Sequence, residues 1–163
     1  MNNRFAHALF RSTAGYAALA LRIPIGVILT AHGAQKLFGW FGGYGLEGTG
    51  QWMASIGLEP GYLMALLAGS AEFFGGIALL LGLLTRPAAI VSAFTMLVAI
   101  FSVHFSNGLF MANNGYEFAL SLFAITLVLA IQGPGRFALD NLLLARFTDA
   151  DEAQRSGVRS ATV

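Results

Sequence analysis

The sequence predicts an all-α fold: a four-helix transmembrane bundle with a Gly-rich external loop that carries a short interfacial helix. Three observations carry this expectation. The AVILMFWYC class supplies 56% of the 163 residues, mean hydropathy is +0.70, and charged residues supply only 10%, against ~25% in a soluble domain. Four apolar stretches are each bounded by Gly, Pro, Asn or charge. The basic residues fall in alternate connections only. A soluble chain of this length could not cover its surface with nine basic and eight acidic side chains. The expected solvent is a lipid bilayer.

The four stretches run from Ala14 to Phe38, Tyr62 to Leu84, Pro87 to Phe105 and Tyr116 to Ile131. At 1.5 Å per residue they reach ~37, ~34, ~28 and ~24 Å, beside a hydrocarbon core of ~30 Å. Transmembrane strands need only ~9–11 residues, so these lengths specify helices, which also satisfy their own backbone groups in lipid. Arg4 and Arg11 precede the first stretch. Arg86 lies between the second and third, and Arg136, Arg146, Arg155 and Arg159 follow the fourth. The connections Gly39–Gly61 and Ser106–Gly115 hold no Lys or Arg. By the positive-inside rule both termini are cytoplasmic. The start of the chain has the basic and apolar pattern of a signal peptide, with Ala-Leu-Ala at 18–20. Cleavage there would leave an odd number of helices, so the first helix is expected to be retained.

Within the first external loop, Gly50–Ile56 suits a short interfacial helix, most simply a surface anchor for Trp40 and Trp52. Asp140–Phe147 reads as a cytoplasmic interfacial helix. One membrane domain is expected over 1–147, and a disordered cytoplasmic tail over 148–163. The net charge of +1 gives no case for nucleic acid. The absence of cysteine excludes disulfides, thiol catalysis and cysteine-based metal sites. No metal-ligand spacing stands out.

Charge at membrane depth costs a few kcal/mol and needs a partner or a cavity. Arg22, His32 and Lys36 lie on the first helix, Glu72 on the second, His104 on the third and Glu117 on the fourth. Measured from the middle of each stretch, Glu72 sits at the midplane and Arg22 ~6 Å to its cytoplasmic side. These two are expected to form a structural ion pair. His32, His104 and Glu117 fall ~9–12 Å outward and Lys36 ~15 Å, giving a polar layer below the external loop. Helical phase puts Gly15, Arg22, Gly26, Gly33 and Lys36 on one face. Ala65, Ala68, Gly69, Gly75 and Gly76 surround Glu72, and Ser121 and Ala124 share the face of Glu117. Such small-residue faces pack against other helices, within one chain or between copies in a homo-oligomer. His104 falls off the small polar stripe of its helix (Ser92, Thr95, Ala99, Ser102) and is expected at the interface.

These segments bear a resemblance to a known family. Arg22, HGAQKLFG at 32–39, GTGQWMASIGLEP at 48–60, AEFFGGIALLLGLLTRPAA at 71–89, NGYEFAL at 114–120 and GPGRFALDNLL at 133–143 occur in the order seen in DoxX proteins. The sequence resembles that family of small bacterial inner-membrane proteins over roughly Ala20 to Leu144. The resemblance implies a four-helix membrane protein of a kind commonly described as a candidate oxidoreductase or a subunit of one. Some members resemble the membrane subunit of a thiosulfate–quinone oxidoreductase, and others a partner in oxidative-stress complexes. The positions inherited would be Arg22, Lys36, Glu72 and Glu117.

The leading functional expectation is therefore a quinone site in the outer leaflet. Lys36 or His32 would donate to a carbonyl, and Glu117 or Glu72 would relay protons. Trp40, Phe73 and Phe74 would stack, and a partner redox subunit would supply electrons. The alternative is a non-catalytic accessory subunit or a small-molecule or proton conduit. A haem held by His32 and His104 is disfavoured, because the two residues lie on different faces.

Overall fold

A computed structural model describes residues 8–12 and 14–148, all of the ordered elements being helical. The last residues of the expected tail, 149–163, lie outside the described part. In chain order the elements are α1 (Gly15–Phe38), a 3-10 turn (Trp40–Gly42), α2 (Gly45–Ser55), α3 (Gly61–Leu81) and α4 (Thr85–Ala99). A π-helical segment (Ile100–His104) and a 3-10 turn (Phe105–Asn107) prolong α4, and a further 3-10 turn (Met111–Asn113) precedes α5 (Glu117–Gln132). A last helix, α6, spans 139–148.

Among the described residues three helices are long and apolar enough to cross a membrane: Gly15–Phe38, Gly61–Leu81 and Thr85–Asn107. The fourth apolar helix, α5, has 16 residues and a length of about 24 Å. The chain is thus an all-helical, membrane-type protein. The long helices pack α1 on α3, α3 on α4, α4 on α5 and α5 on α1. Between them lies a core of Ala18, Ile25, Leu29, Leu79, Ala89, Met96, Leu122 and Leu129. Large apolar side chains such as Val27, Leu67, Phe74, Ile90, Phe94 and Phe101 point outward, as a lipid solvent requires.

Sequence sets the helix ends in familiar ways. α1 stops at Gly39 and α3 at Gly82, both in the left-handed conformation that favours glycine at a helix C-terminus. Pro24 sits inside α1. A helix in lipid tolerates it where neighbouring groups satisfy the freed carbonyl. α2 starts five residues before the expected Gly50 and packs along the start of α3. A Cβ at Gly50 would come within 3.0 Å of the Tyr62 backbone, so glycine lets these two helices touch.

The glycine stripe on α1 fixes the register that matters most. A Cβ at Gly33 would lie 2.6 Å from Phe73 Cα and 2.7 Å from Gly69 O, and one at Gly76 would lie 2.5 Å from Thr30 N. α1 and α3 therefore run antiparallel with backbones in contact, the close approach that small residues permit in membranes. Gly33 is level with Phe73, and Thr30 with Gly76. Glu72 consequently stands level with the last turns of α1, and Arg22 lies roughly 18 Å further along the helix.

Candidate functional site

That register decides which charges meet. Lys36 Nζ lies 2.5 Å from Glu72 Oε2, with side chains 24% and 4% exposed. Arg22 does not reach Glu72, so the expected Arg22–Glu72 ion pair is corrected to Lys36–Glu72. The error came from measuring depth from mid-span, whereas glycine contacts slide the two helices past their midpoints. Lys36 also lies in the last turn of α1, where a cation favours the helix dipole. In a low-dielectric surrounding, a paired and hydrogen-bonded carboxylate is the arrangement that avoids an uncompensated buried charge.

Arg22 instead spends its guanidinium on backbone. It is fully buried and donates to Leu79 O (3.3 Å), Leu80 O (3.1 Å), Arg136 O (3.0 Å) and Phe137 O. The last carbonyls of a helix have no intrahelical donor, and Arg22 supplies one to the end of α3 while holding the chain that follows α5. Asp140 completes this end of the molecule. It is fully buried and accepts from Leu84 N (2.6 Å) and Thr85 N (2.9 Å), the free amides at the start of α4. Arg86 donates to Ala130 O (2.7 Å), Ile131 O and Arg11 O (3.1 Å). Sequence reasoning placed Asp140 at the start of a surface helix and missed this role. The signal was its position in GPGRFALDNLL, where a lone acid follows a glycine-rich turn beside apolar residues.

At the opposite end, where α2 lies, the Lys36–Glu72 pair borders a cavity of about 110 Å³. Its lining includes His32, Lys36, Glu72, His104, Phe118 and Leu122. His104 is therefore not a detached interfacial residue. The buried face of α4 carries Ser92, Met96 and Ile100, and the π-helical segment from Ile100 to His104 continues that face to the imidazole. Its Nδ1 lies 2.9 Å from Asn114 O. His32 sits across from α5, its ring 6.2 Å from that of Phe118. No group of three or more His, Asp or Glu side chains among the described residues is arranged to hold a metal ion.

A second, larger cavity of about 500 Å³ lies under the Gly-rich segment, lined by Gln35, Lys36, Gly42, Gly43, Tyr44, Gly48, Thr49 and Trp52. Lys36 belongs to both linings. The remaining expected site residues fall elsewhere. Glu117 accepts from Met111 N (2.6 Å), so its carboxylate pins the connection between α4 and α5 and does not line the inner cavity. Trp40, Phe73 and Phe74 line neither cavity. With Phe38 they form an edge-packed ladder: Phe38–Trp40 at 5.1 Å, Phe38–Phe73 at 5.2 Å and Phe73–Phe74 at 5.2 Å. Phe38, Trp40 and Phe74 are exposed. A residue next to Glu72 on a helix is turned by about 100° from it, and Phe73 accordingly faces away from the cavity.

A helical membrane protein with a Lys–Glu pair, its carboxylate buried and its lysine shared by two cavities, is the class that fold and site define. The chain belongs to the DoxX family, whose sequence profile matches residues 17–105. It is 40% identical over 131 residues to inner membrane protein YqjF of Escherichia coli, covering 77% of this chain and 90% of the relative. It is 36% identical over 122 residues to the Bacillus subtilis protein named "Putative oxidoreductase CatD", covering 75% and 83%. Inner membrane protein YphA of Escherichia coli is 33% identical over 127 residues, covering 75% and 86%. No solved structure matches the chain.

Proposed function

We propose that this chain is a four-span inner-membrane protein with cytoplasmic termini that binds a quinone at its outer end, as an oxidoreductase or as the membrane subunit of one. The observation that carries the reading is the position of Lys36. Its ammonium is tied to a buried carboxylate, and the residue also lines a ligand-sized cavity. The volume of about 500 Å³ falls within the ~300–1,000 Å³ typical of small-molecule sites. Tyr44 and Trp52 offer ring faces, Gln35 and Thr49 offer amide and hydroxyl groups, and Lys36 offers a charged donor for a carbonyl oxygen. These residues fit a quinone head group better than the Trp40, Phe73 and Phe74 set. That aromatic ladder, exposed on the lipid side, suits contact with an isoprenoid tail.

A bound quinone would supply two-electron, two-proton chemistry, with electrons delivered by a substrate or a partner redox subunit. The chain's own part is orientation and proton handling. Lys36 Nζ donates to the ligand oxygen, and Glu72 holds the Lys36 side chain in place and balances its charge. The interior is closed toward α6 by Ile25, Leu29, Leu79 and Leu129, each nearly or fully buried, and by the Arg22 contacts. This closure supports a site entered from the α2 end rather than a conduit running through the molecule. The name of the Bacillus relative agrees in class.

The test is mass spectrometry of compounds retained after gentle detergent extraction. Wild-type protein should carry quinone at near-stoichiometric level, and Lys36→Met should carry less than a tenth of that. Wild-type protein with no more quinone than an unrelated membrane protein prepared alongside would overturn the proposal.

A further inference from the structure

We infer that His104 is a proton-exchange group of the inner cavity, held in one tautomer by the Asn114 carbonyl. The inference concerns a residue that the sequence placed at the membrane surface, and it rests on three features that meet there.

The first is the hydrogen bond of 2.9 Å between His104 Nδ1 and Asn114 O. A carbonyl oxygen only accepts, so Nδ1 carries the hydrogen. In a neutral ring Nε2 is then the lone-pair nitrogen, because the bond made by one ring nitrogen fixes the state of the other. The second feature is the backbone that presents that carbonyl. Asn114 has φ +59°, a conformation that asparagine tolerates better than most residues. Asn107 Nδ2 donates to the same carbonyl at 3.2 Å. The acceptor is thus held from two directions. The third feature is the π-helical segment Ile100–His104. Such segments recur at functional sites, because one extra residue per turn re-aims the side chains beyond it. Here it carries the imidazole to the wall of the cavity that Lys36 and Glu72 also line.

With Nδ1 committed to backbone, Nε2 is the nitrogen left for the cavity. The cavity volume of about 110 Å³ has room for a few water molecules at roughly 30 Å³ each. Nε2 can therefore accept a proton from such water or return one to it. The groups that face His104 across this space are Lys36 and His32 from α1 and Glu72 from α3. The Glu117 carboxylate from α5 is engaged with the Met111 amide. Once a bound quinone is reduced by electrons from a substrate or partner subunit, its oxygen takes a proton from Lys36 Nζ. The imidazolium form of His104 returns one to Lys36 through cavity water, and the ring recovers its own from outside water. Only N–H and O–H bonds change, and Glu72 carries the compensating negative charge throughout. The inference rests on the quinone reading only for where the proton goes.

The test is nitrogen-15 magnetic resonance of histidine-labelled protein in lipid bilayers. The sequence has three histidines, His7, His32 and His104, and the variants His32→Gln and His104→Gln assign their signals. The neutral His104 ring should show the Nδ1–H tautomer and rapid magnetisation transfer from water. Its ring signals should move in Glu72→Gln and stay in place in Asp140→Asn, which lies at the far end. An Nε2–H tautomer, a ring isolated from water, or signals indifferent to Glu72→Gln would each overturn the inference. Loss of quinone from wild-type protein would sink the quinone reading and leave this one standing on the ring signals.

Discussion

Replacing Gly33 by Ala tests the register on which the site depends. On a helix face open to lipid, the change would stabilise by about 0.8–1.0 kcal/mol through helix propensity. Here the added Cβ would lie 2.6 Å from Phe73 Cα and 2.7 Å from Gly69 O. Ordinary contact begins at 3.4 Å and the Phe73 amide nitrogen stands nearer still, so the helices must part by about 1.1 Å. Both obstacles are backbone, which cannot swing aside as a side chain can. Overpacking costs ~1–3 kcal/mol. With backbone on two sides the upper half of that range applies, which outweighs the propensity gain and leaves a net loss of about 1–2 kcal/mol. The same displacement stretches the 2.5 Å Lys36–Glu72 contact beyond strong hydrogen-bonding distance. Gly33→Val should lose more, about 3 kcal/mol, because its two further methyl groups meet the same backbone. The assay is reversible unfolding in mixed detergent, with the variants ranked by midpoint. A Gly33→Ala protein as stable as wild type, or more stable, would refute the close α1–α3 approach and the pairing that follows from it.

Other outcomes follow from the same geometry. Lys36→Met leaves the buried Glu72 carboxylate without its partner, a loss of about 3–5 kcal/mol, whereas Glu72→Gln leaves only the partly exposed Lys36 ammonium and should lose less. The double variant should recover a large part of the larger loss in the same unfolding assay, and additive losses would deny the pair. Asp140→Asn keeps the size of the side chain but loses a charged acceptor for the Leu84 and Thr85 amides. It should lower stability by about 1–3 kcal/mol without changing quinone retention. Reporter fusions after residues 45 and 110 should read periplasmic and a fusion at 86 cytoplasmic. A cytoplasmic signal at 45 would break the four-span scheme.

Much of the helix placement is legible because lipid makes composition and length decisive. Gly15–Phe38 and Glu117–Gln132 lie within one residue of the expected stretches. α3 ends three residues short of Leu84, because Gly82 turns left-handed and releases the chain. The glycine face of α1 is also legible, since phase on a helix depends only on residue number. Depth is not. Mid-span counting has no knowledge of how far two helices slide, and that sliding moved the partner of Glu72 from Arg22 to Lys36. Charge counting could not have separated the two pairings, because both cations share a face.

The role of His104 was hidden for a related reason. Phase at 100° per residue already puts His104 in line with Met96, Leu97, Ile100 and Phe101, but the small polar residues Ser92, Thr95, Ala99 and Ser102 point to the other face as the one that packs. The structure buries Met96 and Ile100 together with Ser92, and the π-helical segment ends on that side at His104. The polar contacts of Asp140 and Glu117 were hidden because their partners are backbone amides, which a pattern of side chains does not display.

The central claim is that a quinone head group occupies the cavity beside Lys36, and tryptophan fluorescence tests it most directly. The chain has two tryptophans. Trp52 lines that cavity, whereas Trp40 belongs to the exposed aromatic ladder. Titration with a short-tailed quinone should quench emission saturably in Trp40→Phe, where Trp52 is the sole reporter. Adding Lys36→Met to that variant should remove the saturable component. Quenching that rises linearly with quinone in both proteins, as random partitioning into the detergent or bilayer would produce, would contradict the account.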